Sequence, residues 1–127
     1  MLQESGEMYL ETIHILHQQK GGVRSVDVAN YMGFSRPSVS RGIGLLKKEG
    51  FITVDKNGYI SLTKQGKRMA EKIYERHILL AKFLVRLGVD EITAAKDACK
   101  IEHHISDISF QAIKNHVAKY TKETVSV

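Results

Sequence analysis

The chain is poor in several residue types, and each scarcity excludes a class of protein. Its 127 residues include no tryptophan, one proline and one cysteine, Cys99. A single cysteine cannot form a disulfide within the chain, so Cys99 is a packed thiol, a ligand or a redox site. No apolar run approaches the roughly 20 residues that span a bilayer, and the N-terminus has no secretion pattern. We therefore expect a cytoplasmic protein with no membrane partner.

Positive charge is concentrated in one part of the sequence. The net charge is +5, and residues 24–68 carry nine Lys/Arg against three Asp/Glu. Residues 69–127 carry nine against eight, and residues 1–23 carry one against three. A basic block followed by a nearly neutral one is typical of a polyanion-binding domain joined to a neutral one. The alternative is an ordinary solvated basic surface.

Residues 25–50 carry the pattern of a helix-turn-helix. Ser25 predicts the N-cap of a short helix that ends at Met32, and Ser35 predicts the N-cap of the next helix. Pro37 fits the first turn of that helix because its missing N–H has no intrahelical partner there. The first residues of such a second helix face base edges in DNA. The predicted DNA-contacting residues are Arg36, Pro37, Ser38, Ser40 and Arg41.

A β-hairpin is predicted directly after this helix. The runs 51–54 and 59–62 are β-branched or aromatic and flank Asn57-Gly58, two residues that both accept positive φ. A hairpin in this place is the wing of a winged helix. Lys56 at its tip is one of five candidates for contact with the DNA backbone. The other four are Lys47, Lys48, Lys64 and Lys67.

The remainder of the sequence predicts three helices. Thr63 caps a long helix, Asp90 begins a shorter one that reaches about His104, and Ser106 caps the last. With a first helix near the N-terminus, the fold class is mainly α with a small β-wing. We place a winged helix-turn-helix DNA-binding domain at residues 1–70 and a helical domain at residues 71–127.

Cys99, Glu102 and His103 form the most informative cluster for chemistry. In a helix these residues stand at i, i+3 and i+4 and face one side. A thiol, a carboxylate and an imidazole within one turn offer the sulfur, oxygen and nitrogen donors that divalent transition metals accept. The cluster needs a further ligand from elsewhere in the chain.

Several motifs together resemble one family, the iron- and manganese-dependent repressors typified by the diphtheria toxin repressor and the manganese transport regulator. The motifs are Glu7-Met8-Tyr9-Leu10-Glu11, Arg36-Pro37-Ser38-Val39-Ser40, Leu62-Thr63-Lys64-Gln65-Gly66-Lys67, Arg76-His77, Asp97-Ala98-Cys99 and Glu102-His103-His104-Ile105-Ser106. The resemblance implies a homodimer whose C-terminal helices bind metal and dimerise, and which represses metal-homeostasis genes by binding operator DNA. The SH3-like third domain of longer members is not expected here.

By position, the resemblance implies that Met8 completes the metal site with Cys99, Glu102 and His103. Manganese-type members hold carboxylates where this chain has Met8 and Cys99, so the softer donors favour Fe²⁺ first and Mn²⁺ next. Zn²⁺, Co²⁺ or Ni²⁺ are expected to bind in vitro, since protein sites generally bind these ions more tightly than Mn²⁺ or Fe²⁺.

Two further residues are candidate metal ligands. His77 matches a ligand of the family's ancillary site, but Ala81 and Ala95 stand where that site expects a carboxylate and a histidine or another polar residue. The alternative for His77 is a hydrogen bond within the core. Glu11 is a candidate to replace a missing ligand.

The expected function is a metal-activated repressor that takes no small organic substrate. One alternative is a winged-helix regulator with a degenerate metal site that senses oxidation through Cys99. Another is a metalloenzyme that uses Glu102 and His103, which requires an open coordination position, a general base and a substrate cleft. The sequence has no HExxH spacing and no nucleophile constellation, which argues against an enzyme.

Overall fold

The computed structural model describes residues 4–125, with side chains over residues 4–120. The described elements are α1 (Glu4–Lys20), α2 (Ser25–Met32), α3 (Arg36–Lys48), β1 (Ile52–Val54), β2 (Ile60–Leu62), α4 (Lys64–Arg86), α5 (Glu91–Glu102) and α6 (Asp107–Val125). The predicted mainly α fold with a small β-wing is confirmed. The chain divides into two compact units, Met1–Tyr74 and Glu75–Val127, so the division falls four residues after the predicted boundary.

The N-terminal unit packs α1, α2, α3 and the hairpin around one apolar core. Its largest fully buried apolar side chains are Leu10, Ile13, Val23, Val28, Val39, Leu46, Ile52 and Ile60. Helices α1 and α3 approach closely because residue 42 lacks a side chain: a Cβ there would lie 2.2 Å from Cε2 of the Tyr9 ring. Gly42 therefore lies at the contact between α3 and Tyr9 of α1.

The ends of the helices follow the predicted caps with one exception. The Ser35 hydroxyl accepts a hydrogen bond from Ser38 N at 3.3 Å, and Thr63 Oγ1 accepts one from Gly66 N at 3.1 Å. The prediction that Ser25 caps α2 is wrong. Arg24 is the N-cap, and its backbone N–H donates to the Asp27 carboxylate at 2.8 Å. The longer Asp27 side chain makes the capping hydrogen bond from inside the helix.

The wing is an antiparallel pair in which Thr53 faces Ser61. Its turn differs from the predicted one, because among residues 4–125 only glycines adopt positive φ. Gly58 does so, with φ of 85°, whereas Asn57 does not. The Asp55 carboxylate stabilises the turn instead, accepting hydrogen bonds at 2.9 Å from the backbone N–H groups of Asn57 and Tyr59.

The C-terminal unit is helical throughout its described elements. Leu80, Ala98 and Phe110 form its buried apolar cluster. The Asp90 carboxylate caps α5 by accepting from Thr93 N at 2.9 Å, and the Ser106 hydroxyl caps α6. Helix α5 ends at Glu102, two residues before the predicted end. Within the described part of the chain, no helix has the length and apolar character needed to cross a membrane.

Candidate metal centre

The last turn of α5 brings the predicted thiol, carboxylate and imidazole together. Donor atoms of Cys99, Glu102 and His103 all lie within 4.8 Å of one another. His103 is the C-cap residue, and its φ of −88° and ψ of −9° keep it close to helical geometry. Its side chain therefore stays on the same face as the other two, although the helix has ended. The side chains of Glu102 and His103 are 0% and 1% exposed.

The donor set fits a divalent transition metal. Metal–sulfur bonds are about 2.3 Å and metal–nitrogen or metal–oxygen bonds about 2.0–2.2 Å, so ligand atoms on one ion lie at most roughly 4.6 Å apart. The separations between the three donor atoms are already close to this spacing. Glu102 Oε1 and His103 Nε2 are 3.2 Å apart. A fully buried carboxylate is costly unless opposite charge or hydrogen-bond donors surround it, which a cation and two imidazoles would supply.

His77 extends the cluster from α4. Its Nδ1 lies 2.9 Å from Glu102 Oε2 and forms a hydrogen bond with that carboxylate. The fold therefore gives Glu102 an imidazole neighbour on each of its oxygens. Of the residues at which the ancillary site expects polar groups, Ala81 packs against the apolar cluster of this unit and Ala95 is exposed. Neither can supply a ligand.

The two candidate ligands on α1 belong to the N-terminal unit. Met8 is half-buried, and Glu11 is 8% exposed, which is uncommon for a carboxylate. They stand at i and i+3 and so share a face of α1. Their role as ligands stays a prediction.

Arg76 is the residue of this centre to which sequence reasoning gave no role. It is 8% exposed, and its Nη1 donates to the backbone carbonyls of Glu102 and Ile105. The sequence carries a signal, because Arg76 stands three residues after Ile73 and four before Leu80 and so shares an apolar stripe of α4 with these two buried residues. A charge in such a stripe indicates a buried, paired group.

The predicted DNA-contacting residues lie at the start of α3. The Ser38 hydroxyl accepts a hydrogen bond from the Ser35 hydroxyl at 2.9 Å and a longer one from the Arg41 guanidinium at 3.5 Å. No acidic residue stands in the first turn. Ser38 is half-buried, and the exposed members of the set are Arg36, Pro37, Ser40 and Arg41. The backbone-contact candidates are all exposed: Lys47, Lys48, Lys56, Lys64 and Lys67.

The wing is fastened to α1 by a histidine. His17 Nδ1 lies 2.7 Å from the carbonyl oxygen of Gly21, and its Nε2 lies 2.9 Å from that of Ile60 on β2. The side chain thus joins the end of α1 to the second strand. Local sequence gives no signal for this contact, because Ile60 lies 43 residues further along the chain.

A winged helix followed by helices that carry a cluster of sulfur, oxygen and nitrogen donors is the architecture of a DNA-binding domain joined to a candidate metal-binding domain. Residues 1–64 match the family described as "Iron dependent repressor, N-terminal DNA binding domain". Residues 63–124 match "Iron dependent repressor, metal binding and dimerisation domain". The chain belongs to the iron-dependent repressor family.

Individual relatives agree with this assignment. The chain is 34% identical over 113 residues to the HTH-type transcriptional regulator MntR of Lysinibacillus sphaericus (strain C3-41), covering 89% of this chain and 81% of the relative. The structure of the manganese regulator SloR matches with 27% identity and a TM-score of 0.80. A manganese-dependent transcriptional repressor in complex with manganese matches with 28% identity and a TM-score of 0.82. Each match covers 89% of this chain, which spans about half of either solved chain, 53% and 52%.

Proposed function

We propose that this protein is a metal-activated transcriptional repressor that binds operator DNA as a homodimer and controls genes of iron and manganese homeostasis. The observation that carries the proposal is the grouping of Cys99, Glu102 and His103 donor atoms within 4.8 Å, in a chain that also forms a winged helix. Met8 is the proposed fourth ligand, by its position in the family. Glu11 and His77 are the proposed reserve ligands.

Related proteins support a divalent ion. One solved relative is a manganese complex, and the relative ScaR, at 27% identity, has been solved with Zn²⁺ and with Cd²⁺. For this chain we propose Fe²⁺ first and Mn²⁺ next, because the thioether of Met8 and the thiolate of Cys99 are softer than carboxylates. Zn²⁺, Co²⁺ and Ni²⁺ are also proposed to bind in vitro, because protein sites generally bind them more tightly than Mn²⁺ or Fe²⁺.

The fold offers a route from the proposed ligand on α1 to the DNA-binding helix. Met8 is adjacent to Tyr9, whose ring packs against Gly42 of α3. Ligation of Met8 restrains α1, and this contact transmits the restraint to α3. In a dimer, the two recognition helices must stand about 34–36 Å apart to enter successive major grooves. Metal favours this arrangement by binding it more tightly than the alternatives.

On the DNA side, the start of α3 is proposed to contact bases and nearby phosphates through Arg36, Pro37, Ser38, Ser40 and Arg41. The five exposed lysines on α3, the wing and α4 are proposed to contact the phosphate backbone. The hydrogen bond from Arg41 to Ser38 holds the guanidinium over the first turn of α3. Arg41 is therefore partly oriented before it meets DNA.

The testing experiment is DNA binding by metal-stripped protein under anaerobic conditions, titrated with Fe²⁺ and with Mn²⁺ at one stated salt concentration. The probe is the DNA upstream of the protein's own gene. We expect binding that requires metal and is lost in His103→Ala. Equal binding with and without metal would reject the proposal and favour the alternative in which Cys99 senses oxidation, for which Cys99→Ser is the test.

A further inference from the structure

The guanidinium of Arg76 makes contacts with three successive parts of the C-terminal unit. Nη1 donates to the carbonyl oxygen of Glu102 at 3.0 Å and to that of Ile105 at 2.8 Å. Nη2 forms an ion pair with the carboxylate of Asp107. The guanidinium carbon also lies 5.5 Å from the centre of the Phe110 ring. One side chain of α4 therefore contacts the end of α5, the connecting turn and the beginning of α6.

These contacts meet a chemical need of the turn. The last carbonyls of a helix have no partner within that helix, and a cation at this end is favoured by the helix dipole. Glu102 supplies one such carbonyl, and Arg76 satisfies it. The turn is otherwise closed by the amides of His104 and Ile105, which both donate to Ile101 O at 3.0 Å.

Two adjacent residues of α4 thus fix both ends of Glu102. Arg76 holds its backbone carbonyl, and His77 forms a hydrogen bond with its side-chain carboxylate. Held at both points, Glu102 cannot rotate its side chain or shift along the helix axis without breaking one of these two hydrogen bonds. The next residue, His103, is fixed through the same backbone.

We propose that Arg76 is a positioning residue of the metal centre: it holds the turn bearing Glu102 and His103 in the ligating conformation before the ion arrives. This inference rests on the proposed function, because it assumes that these residues bind metal. A lysine cannot replace Arg76, since a single ammonium lacks the planar fork that reaches two carbonyls and a carboxylate at once.

The experiment compares Arg76→Lys with Lys114→Met. Lys114 forms an exposed ion pair with Glu75 at 2.7 Å, so it also joins α6 to α4 but does not touch the turn. Co²⁺ is titrated anaerobically into each protein, following the thiolate-to-cobalt absorption. We expect about 10- to 100-fold weaker binding and an altered absorption spectrum in Arg76→Lys, the effect typical of residues that orient metal ligands. Lys114→Met should match the wild type.

Hydrogen exchange in the metal-free proteins supplies a second readout that does not depend on metal. The amides of His104 and Ile105 should exchange faster in Arg76→Lys than in the wild type or in Lys114→Met. If Arg76→Lys does not fold, Asp107→Asn removes only the negative charge of the exposed partner of the guanidinium, and a smaller change in the same direction is expected.

The outcomes separate two failures. The positioning role alone would be overturned if a folded Arg76→Lys kept the cobalt affinity, the absorption spectrum and the exchange rates of the wild type. If Arg76→Lys does not fold, the same result in Asp107→Asn would overturn it. A wild-type protein that binds no Co²⁺, Fe²⁺ or Mn²⁺ would overturn the proposed function and this inference with it, even if exchange in the turn still depends on Arg76.

Discussion

His77 and Glu102 are joined by a hydrogen bond of 2.9 Å between Nδ1 and Oε2, which links α4 to the end of α5. The other carboxylate oxygen of Glu102 lies 3.2 Å from Nε2 of His103. A carboxylate that is fully buried between two imidazoles contributes little to stability through its charge, because desolvation offsets the attraction. The burial of the Glu102 carboxylate is therefore better explained by a role in binding metal than by a contribution to folding stability.

Glu102→Gln tests this explanation. We expect the metal-free protein to melt within a few degrees of the wild type, since the amide keeps the shape and removes a buried charge. The increase in melting temperature on adding Mn²⁺ or Fe²⁺ should be lost, because an amide is a poor ligand for these ions. Glu91→Gln, at the exposed start of α5, is the control and should retain the metal-induced increase. A retained increase in Glu102→Gln would remove Glu102 from the site.

Local spacing predicts some features of the fold correctly, but competing side chains within the same few residues overturn others. The cluster of Cys99, Glu102 and His103 was predictable because helical spacing alone places the three residues on one face. The cap at Ser25 and the positive φ of Asn57 were predicted wrongly, because Asp27 and Asp55 accept the competing hydrogen bonds.

Contacts over long sequence separations set the limit of that reasoning. The partners of Arg76 lie 26 to 31 residues away, and the strand contacted by His17 lies 43 residues away. No local periodicity encodes such pairs. Only the presence of an arginine in an apolar stripe indicated that a partner must exist.

Gly42→Ala tests the close approach of α1 and α3. The added methyl would lie 2.2 Å from the Tyr9 ring, so the ring must move, and we expect the free energy of unfolding to fall by about 1–3 kcal/mol. Gly44→Ala is the matched control two residues along the same helix, where the added carbon would meet nothing within 4 Å beyond the neighbouring backbone of its own helix. It should raise stability by up to about 1 kcal/mol through helix propensity. Urea denaturation of both variants measures the difference; equal effects would contradict the packing described.

We expect Asp27 to contribute to the loss of stability of the N-terminal unit in acid. Its hydrogen bonds from the Lys20 ammonium and from the backbone N–H of Arg24 lower the pKa of this carboxyl below the ordinary 3.8. The carboxylate therefore contributes stability above the unfolded-state pKa, and this contribution is lost as the pH falls through the lower, folded-state value. In Asp27→Asn, the free energy of unfolding should change less between pH 5 and about pH 2. Parallel curves for the two proteins would show that Asp27 contributes nothing to this acid sensitivity.

Arg41→Ala should weaken operator binding while leaving metal affinity unchanged. If the guanidinium contacts phosphate, the loss should be similar across DNA sequences, and the dependence of log affinity on log salt should decrease by about one. If it contacts a base instead, the variant should distinguish less well between bases at one position of the operator. Ser38→Ala should give a smaller loss, since it removes the hydrogen bond that orients Arg41. Fluorescence anisotropy at several salt concentrations measures both variants, and unchanged affinity in Arg41→Ala would exclude it from the interface.

The proposed preference for Fe²⁺ over Mn²⁺ rests on Met8 and Cys99. Replacing both by aspartate gives the site the hard oxygen donors that Mn²⁺ accepts more readily than sulfur donors. We expect the ratio of Fe²⁺ affinity to Mn²⁺ affinity to fall in the double variant. Each single variant should shift the ratio part of the way, because both sulfur atoms are proposed ligands of one ion. Anaerobic competition between the two ions measures the ratio directly. If the ratio stays at the wild-type value while both ions still bind, selectivity does not arise from these two side chains, and Glu11 and His77 become the residues to vary next.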